Sequence, residues 1–171
     1  MHPHDSLMNA AVAILTVSDT RSIEDDRSGA CIAAYVESAE HRIAEHLIVR
    51  DELNEIAIVV SGWAATREID AIIITGGTGL SPRDVTPEAV TPLFAASLSG
   101  FGELFRQLSY EKIGAAAMLS RADAGWIDNG SFRTPVFLLP GSPNAVELAM
   151  QKLIIPQLSH LLAVCRGKKT I

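Results

Sequence analysis

The sequence predicts an α/β protein, a three-layer α/β/α sandwich around a mostly parallel central sheet. Three observations predict it. The runs Ala11–Val17, Ala71–Thr75 and Val136–Leu139 are apolar, the first two rich in β-branched residues, with no polar alternation, which is the pattern of strands buried on both faces. Stretches with apolar residues at helical spacing fall between such runs. Several strands also run directly into polar or Gly/Pro-rich loops that lead toward a helix.

The elements follow in chain order. Residues 1–10 begin with the polar Met1-His2-Pro3-His4-Asp5-Ser6 and are expected to form a disordered tail, with no apolar segment that would make a signal peptide. Ala11–Val17 is the first strand and ends in a polar loop, Ser18–Arg27. Ile32, Tyr35, Val36 and Ala39 recur at helical spacing, and Arg42–Val49 reads as the second strand, with Asp51 just past its end. Leu53, Ile56, Val60 and Trp63 make the stripe of a second helix. Ala71–Thr75 runs straight into Gly76-Gly77-Thr78-Gly79. Thr86, Pro87 and Glu88 read as N-cap, first helical residue and acidic first turn of a further helix, which Pro92 kinks or splits. Phe101–Ile113 reads as helix and Ala115–Leu119 as extended chain. Asn129-Gly130 is a hairpin turn signal inside Gly125–Arg133. After the last core strand, Ser142-Pro143 caps a C-terminal helix lined by Val146, Ala149, Met150, Leu153 and Leu161 and bent by Pro156. No repeat or linker divides the chain, so residues 11–165 are read as one domain and 166–171 as a C-terminal tail.

Composition agrees. A chain of 171 residues with 48% hydrophobic residues can bury a real core without staples. With 14 Lys plus Arg against 20 Asp plus Glu, the formal charge is −6. Nucleic-acid binding draws on an excess of basic side chains, so neither nucleic acid nor an anionic membrane is the expected partner. An anionic ligand would have to be held by backbone N–H groups, a few placed arginines or a metal. The longest apolar runs are too short to span a bilayer. Cys31 and Cys165 are far apart, have no metal-ligand spacing, and read as small buried hydrophobes in a reducing, cytoplasmic compartment. His41, His46 and His160 read as surface residues, and Trp63 and Trp126 as packing residues.

In open parallel sheets ligands bind beyond the carboxyl ends of the strands, which directs attention to the loops after Val17, Val49, Thr75 and Leu139. The Gly76–Gly79 turn is either a structural turn or an anion-binding nest of successive N–H groups. It is not a dinucleotide fingerprint, since Pro82 stands where the last glycine belongs, and no P-loop G-K-[ST] occurs. Asp84, beside Arg83, is either a surface carboxylate near a helix start or one of a pair with Asp51 at the sheet rim. Two carboxylates beside an anion nest would repel phosphate unless a divalent cation lay between them. Pro140-Gly141-Ser142-Pro143-Asn144 is either a helix cap or a second anion site, and it lacks the G-x-S-x-G frame of a nucleophile elbow. Ser120-Arg121 adds a hydroxyl and a guanidinium.

Taken together, these segments resemble a known family. Gly76–Gly79 with Pro82–Ala89, Ala117–Ala122, Leu139–Val146, and Ala13–Asp19 are similar, in order, to the motifs of the MogA/MoaB family of molybdenum-cofactor biosynthesis proteins, over about Ala11 to Leu162. Gly100–Arg106 and Leu108–Gly114 look most like the MoaB branch. The resemblance implies one antiparallel strand and assembly as a homotrimer or as a hexamer of two trimers, with other enzymes of the pathway as possible partners. It also implies molybdopterin adenylyltransferase activity, with ATP and molybdopterin as substrates and Mg²⁺ as the metal. Asp51 and Asp84 would position the Mg²⁺ as catalytic residues. Ser18, Asp19, Gly76, Gly77, Thr78, Gly79, Ser120, Arg121, Pro140, Gly141, Ser142 and Asn144 would bind molybdopterin or nucleotide. The alternatives are a non-catalytic molybdopterin carrier and a structural oligomerisation domain.

Overall fold

Strand β1 (Ala11–Val17) is buried at every residue because it has a parallel neighbour on each side, β2 (Arg42–Val49) and β3 (Ala71–Thr75), and helices on both faces. The computed structural model describes residues 9–167. Its six-stranded sheet has the order β2-β1-β3-β6-β5-β4, where β4 is Ala96–Ser97, β5 Asp123–Asp128 and β6 Arg133–Leu139. β3 pairs with β6 in parallel, whereas β5 is antiparallel to both β6 and β4. The sheet is therefore mixed and mostly parallel, with β5 as its reversed strand. The reversal is made by the hairpin at Asn129-Gly130, where Gly130 takes φ +84° and the Asn129 side chain accepts from the amides of Ser131 and Phe132.

Successive strand residues point to opposite faces, and this divides the core in two. Val12, Ile14, Ile73, Phe137 and Leu139 face α1 (Arg27–Ser38), α4 (Ser99–Ile113), α5 (Pro143–Ala149) and α6 (Ile155–Cys165). Ala13, Leu15, Ile72, Ile74, Val136 and Leu138 face α2 (Leu53–Ala64) and the short α3 (Thr86–Val90). Burying each of the Val, Leu, Ile and Phe side chains among these contributes about 1.5–3 kcal/mol, which makes the three-layer arrangement the stable solution for non-alternating strands.

The structure corrects several expectations. Ala115–Leu119 is not extended: after Gly114 (φ +63°) ends α4, Gly114–Leu119 winds as a 3₁₀ helix. Three successive alanines have no branched Cβ to favour a strand, and this segment has no strand beside it. Thr86 is the first residue of α3 rather than its N-cap, and its hydroxyl donates to Gly76 O at 2.9 Å. Pro92 does end α3, which passes into a 3₁₀ turn at Thr91–Leu93. β6 begins three residues earlier than expected, at Arg133, and the two-residue β4 carried no sequence signal. α5 and α6 are joined by a π-helical turn, Met150–Ile154, just before Pro156. The continuous helical run Pro143–Cys165 is 23 residues long and holds an 18-residue stretch of mean hydropathy 1.3, so one helix does have the length and composition to cross a membrane. Its apolar stripe of Val146, Ala149, Met150, Ile154, Leu158 and Leu162 is buried on the sheet, however, as in a core helix.

At the chain ends, the expected tails lie outside the described residues for 1–8 and 168–171, which include His2 and His4. Ala10 is buried, accepts from Arg42 N and donates to His41 Nδ1, and Arg166 pairs with Asp70. His41 is thus buried rather than superficial, while His160 is exposed as expected. Cys31 and Cys165 are free thiols and half-buried rather than fully buried; burial pushes the pKa of both up. Trp63 is buried in the core, and Trp126 packs under the Arg133 guanidinium.

Candidate functional site

The parallel strands β1, β3 and β6 end on the same rim, and their loops enclose a cleft of about 700 Å³. Two glycine-containing turns, one after β3 and one after β6, meet there at van der Waals distance. Gly76 has φ +99°, and a Cβ on it would lie 2.2 Å from Val17 O, so only glycine lets the β3 loop pass the end of β1. Gly77 has φ +66°, and a Cβ there would lie 2.3 Å from Thr86 Oγ1 and 2.7 Å from Asp51 Oδ1. On the far side the Gly141 turn approaches Gly76 closely enough that a Cβ would sit 3.3 Å from its Cα. Ser28 Oγ and Arg21 Nη2 both donate to Gly141 O, at 2.9 and 3.2 Å, and Thr75 Oγ1 donates to Pro140 O at 2.9 Å. The sequence thus builds its turns from glycines and ties them with hydroxyls from neighbouring elements.

Both candidate carboxylates line this cleft. Asp51 follows β2, and its Oδ1 is buried without any hydrogen-bond partner. Burial pushes the Asp51 carboxyl above its ordinary value, and the negative charges of Asp19 and Asp84 add to the rise. Asp84 Oδ2 accepts from Ser81 N at 2.9 Å within its own loop. Among the described residues no group of three or more His, Cys, Asp or Glu is placed to hold a metal ion. A pair of carboxylates, one with an orphaned buried oxygen, nevertheless fits Mg²⁺, which is commonly bound by one or two carboxylates together with substrate phosphates and waters.

Of the binding candidates, Ser18, Gly76, Gly77, Thr78, Gly79, Ser120, Pro140, Gly141 and Ser142 line the cleft. Ser142 also caps α5 by accepting from Ala145 N. Asp19, Arg121 and Asn144 do not line it. Asp19 instead latches the mouth, where Arg83 donates to both its carboxylate oxygens at 2.9 Å and Asp51 N donates to it at 3.1 Å. This pairing with Arg83 holds the Asp19 carboxyl below its usual range. Arg83 also reaches Glu52 Oε1 at 3.1 Å, so loops from three different strands are joined by one guanidinium.

Sequence reasoning missed one wall of the cleft. Phe105, Ser109 and Ile113 of α4 and Ala116, Ala117 and Leu119 of the 3₁₀ segment also line it and make it largely apolar there. Phe105, Ser109 and Ile113 are spaced four apart, a helix-face signal that was present in the sequence. Thr20 and Arg21 complete the rim. A buried cluster behind the site was also missed. Asp26, 2% exposed, accepts from Thr16 Oγ1 and from Gly29 N as the cap of α1, and His46 Nε2 lies 3.0 Å from its Oδ2. His46 is therefore half-buried against a carboxylate rather than on the open surface.

Comparison with known proteins decides the family. Residues 13–160 match the family described as "Probable molybdopterin binding domain". The chain belongs to this molybdopterin-binding family. Molybdenum cofactor biosynthesis protein B of Bacillus subtilis is 49% identical over 157 residues, covering 91% of this chain and 90% of that protein. The Staphylococcus epidermidis protein of the same name is 48% identical over 155 residues, covering 88% of this chain and 86% of that protein. A crystal structure of a molybdenum cofactor biosynthesis protein B superposes with TM-score 0.89 at 40% identity, over 95% of this chain and 99% of that one. The tungsten cofactor synthesizing protein MoaB of Pyrococcus furiosus gives 0.84 at 36% identity, over 92% and 98%. A MogA structure gives 0.79 at 27% identity, over 91% and 99%. The fold of this family member is thus that of MoaB and MogA, and its family works in molybdenum cofactor biosynthesis.

Proposed function

We propose that this family member binds molybdopterin and adenylylates it with Mg-ATP, releasing pyrophosphate, in the cytoplasm. One observation carries the reading: a single cleft joins glycine turns at the strand ends to two carboxylates, one of which keeps a buried, unpartnered oxygen. Backbone N–H groups of such turns suit phosphates, and the carboxylates suit a divalent cation among them.

The reaction needs little covalent chemistry from the protein. An oxygen of molybdopterin's terminal phosphate, already ionised near neutral pH, bonds to the α-phosphorus of ATP. The bond from that phosphorus to the bridging oxygen breaks, and pyrophosphate leaves with the electron pair. No side-chain nucleophile and no general base is required, which agrees with the absence of a nucleophile elbow from the sequence. The glycine turns and Ser120 would hold the two polyanions in line, which is where most of the acceleration in phosphoryl-type transfer arises. Asp51 and Asp84 would hold Mg²⁺, which when bound supplies charge neutralisation to the triphosphate and the departing pyrophosphate. The apolar wall of Phe105, Ile113 and Leu119 would cover the flat, less charged part of a substrate and keep water from it.

The experiment is direct: purified protein, ATP, Mg²⁺ and molybdopterin, with adenylyl-molybdopterin followed by mass spectrometry and pyrophosphate by a coupled assay. Equal amounts of both products support the reading. Tight molybdopterin binding without either product would leave a carrier for a later enzyme of the pathway.

A further inference from the structure

We infer that Arg121 is a positioning residue that sets the place of Asp84 and does not itself contact the ligand; the inference rests on the metal-binding role proposed above for Asp84. The β3 loop is held in two halves by different means. Its first half is tied to the fold by Thr86, whose N–H and hydroxyl donate to Gly77 O at 3.0 Å and Gly76 O at 2.9 Å. Its second half, from Gly79 to Asp84, has no strand neighbour. Arg121, which does not line the cleft, holds this half by donating from Nε to Gly79 O at 2.9 Å and from Nη2 to Asp84 O at 2.8 Å, while Nη1 pairs with Glu88 of α3. One half-buried guanidinium thus pins both ends of the segment and fastens it to the following helix.

Between those pinned ends the segment closes on itself. Ser81 N donates to Asp84 Oδ2 and Asp84 N donates to Ser81 O, both at 2.9 Å. The carboxylate direction follows from the loop conformation, and the loop conformation follows from the guanidinium. Every N–H direction with a partner points at protein, and the side chain is absent from the cleft lining. A lysine cannot replace this, because a single ammonium cannot meet acceptors spread across one planar fork.

The test compares wild type with Arg121→Lys, Arg121→Ala, Glu88→Gln and Asp84→Asn. Hydrogen exchange reads the loop directly. In Arg121→Lys the amides of Ser81 and Asp84 should exchange at least about tenfold faster, whereas the Thr86 amide and those of β1 and β3 keep their protection. Glu88→Gln, which spares both carbonyl bonds, should change these amides less. Titration with Mn²⁺ alone, followed by electron paramagnetic resonance, should show weaker binding in Arg121→Lys in the same direction as Asp84→Asn. Molybdopterin affinity should stay within about twofold. Unchanged exchange at Ser81 and Asp84 in both Arg121 variants overturns the inference. So does a large loss of molybdopterin affinity with the loop amides unchanged, since Arg121 would then touch the ligand. If wild type releases no pyrophosphate while Arg121→Lys still frees the loop and weakens Mn²⁺, adenylylation fails and the positioning role stands.

Discussion

Replacing Gly77 by alanine should damage the protein in two separable ways, and Gly130→Ala provides the control. Both glycines have positive φ, +66° and +84°. An L-residue in the left-handed region costs about 1–2 kcal/mol, partly offset by about 0.4–1 kcal/mol from the stiffer unfolded chain. At Gly130 nothing lies within 4 Å of the added Cβ, so that small net cost is all Gly130→Ala should show. At Gly77 the Cβ would lie 2.3 Å from Thr86 Oγ1, whose position is fixed by its bond to Gly76 O, and 2.7 Å from Asp51 Oδ1. Relieving such overpacking costs about 1–3 kcal/mol more. For a chain of this size about 1 kcal/mol lowers Tm by about 2–4 °C, so Gly77→Ala should melt about 2–12 °C below Gly130→Ala by calorimetry. Because the methyl also displaces the orphaned Asp51 oxygen, product formation at 25 °C should fall far more than the folded fraction does. If Gly77→Ala melts with Gly130→Ala, the close packing of the glycine turn against Thr86 and Asp51 is not real.

Three further outcomes are expected. Asp26→Asn should lower the urea midpoint by the equivalent of about 1–3 kcal/mol, because an amide cannot accept at once from Thr16, Gly29 and His46; a change under about 0.5 kcal/mol would contradict the cluster. The Asp19–Arg83 latch should survive mild acid. Because the folded Asp19 carboxyl sits below its unfolded value, the latch contributes above the ordinary carboxylate pKa of about 3.9 and is lost only as pH falls further, which the Asp19 carboxyl chemical shift would report; titration at or above that value counts against it. Light scattering at micromolar concentration should give the trimer or hexamer that the family resemblance implies, to which the half-exposed Leu104 and Val164 on an apolar groove between α4 and α6 offer a surface to cover, and a monomer alone would refute that assembly.

The sheet was legible in the sequence because its central strands are buried on both faces and so carry no alternation to confuse with helix. Ala11–Val17 and Ala71–Thr75 coincide with the observed strands residue for residue, and so does Arg42–Val49, although that edge strand is only half-buried or exposed. The misread segments are those where local pattern and tertiary partner part company. Ala115–Leu119 is apolar enough for a strand, yet it has no neighbour to pair with and winds as 3₁₀. Thr86 looks like a cap, but its hydroxyl is drawn to Gly76 O, ten residues back across the turn. Likewise the turns of the cleft and Asp51 closely follow their strands, and Asp84 lies on the same glycine loop, so they could be found, whereas Asp26, His46 and the α4 wall depend on how separate elements dock. Arg121 was found for its charge, but its direction is set by the carbonyls of Gly79 and Asp84, which no local motif reveals.

The most direct test of the central claim, that binding and chemistry in this cleft rest on different groups, is single-turnover formation of adenylyl-molybdopterin beside a molybdopterin titration in wild type, Asp51→Asn and Asp84→Asn. Asn keeps the side-chain shape and removes the charge that would hold Mg²⁺, while the glycine turns and Ser120 remain. Each variant should therefore bind molybdopterin nearly as wild type and form product on the order of a hundredfold or more slowly. Near wild-type rates at saturating Mg²⁺ in either variant, or binding that collapses together with rate, would contradict the account.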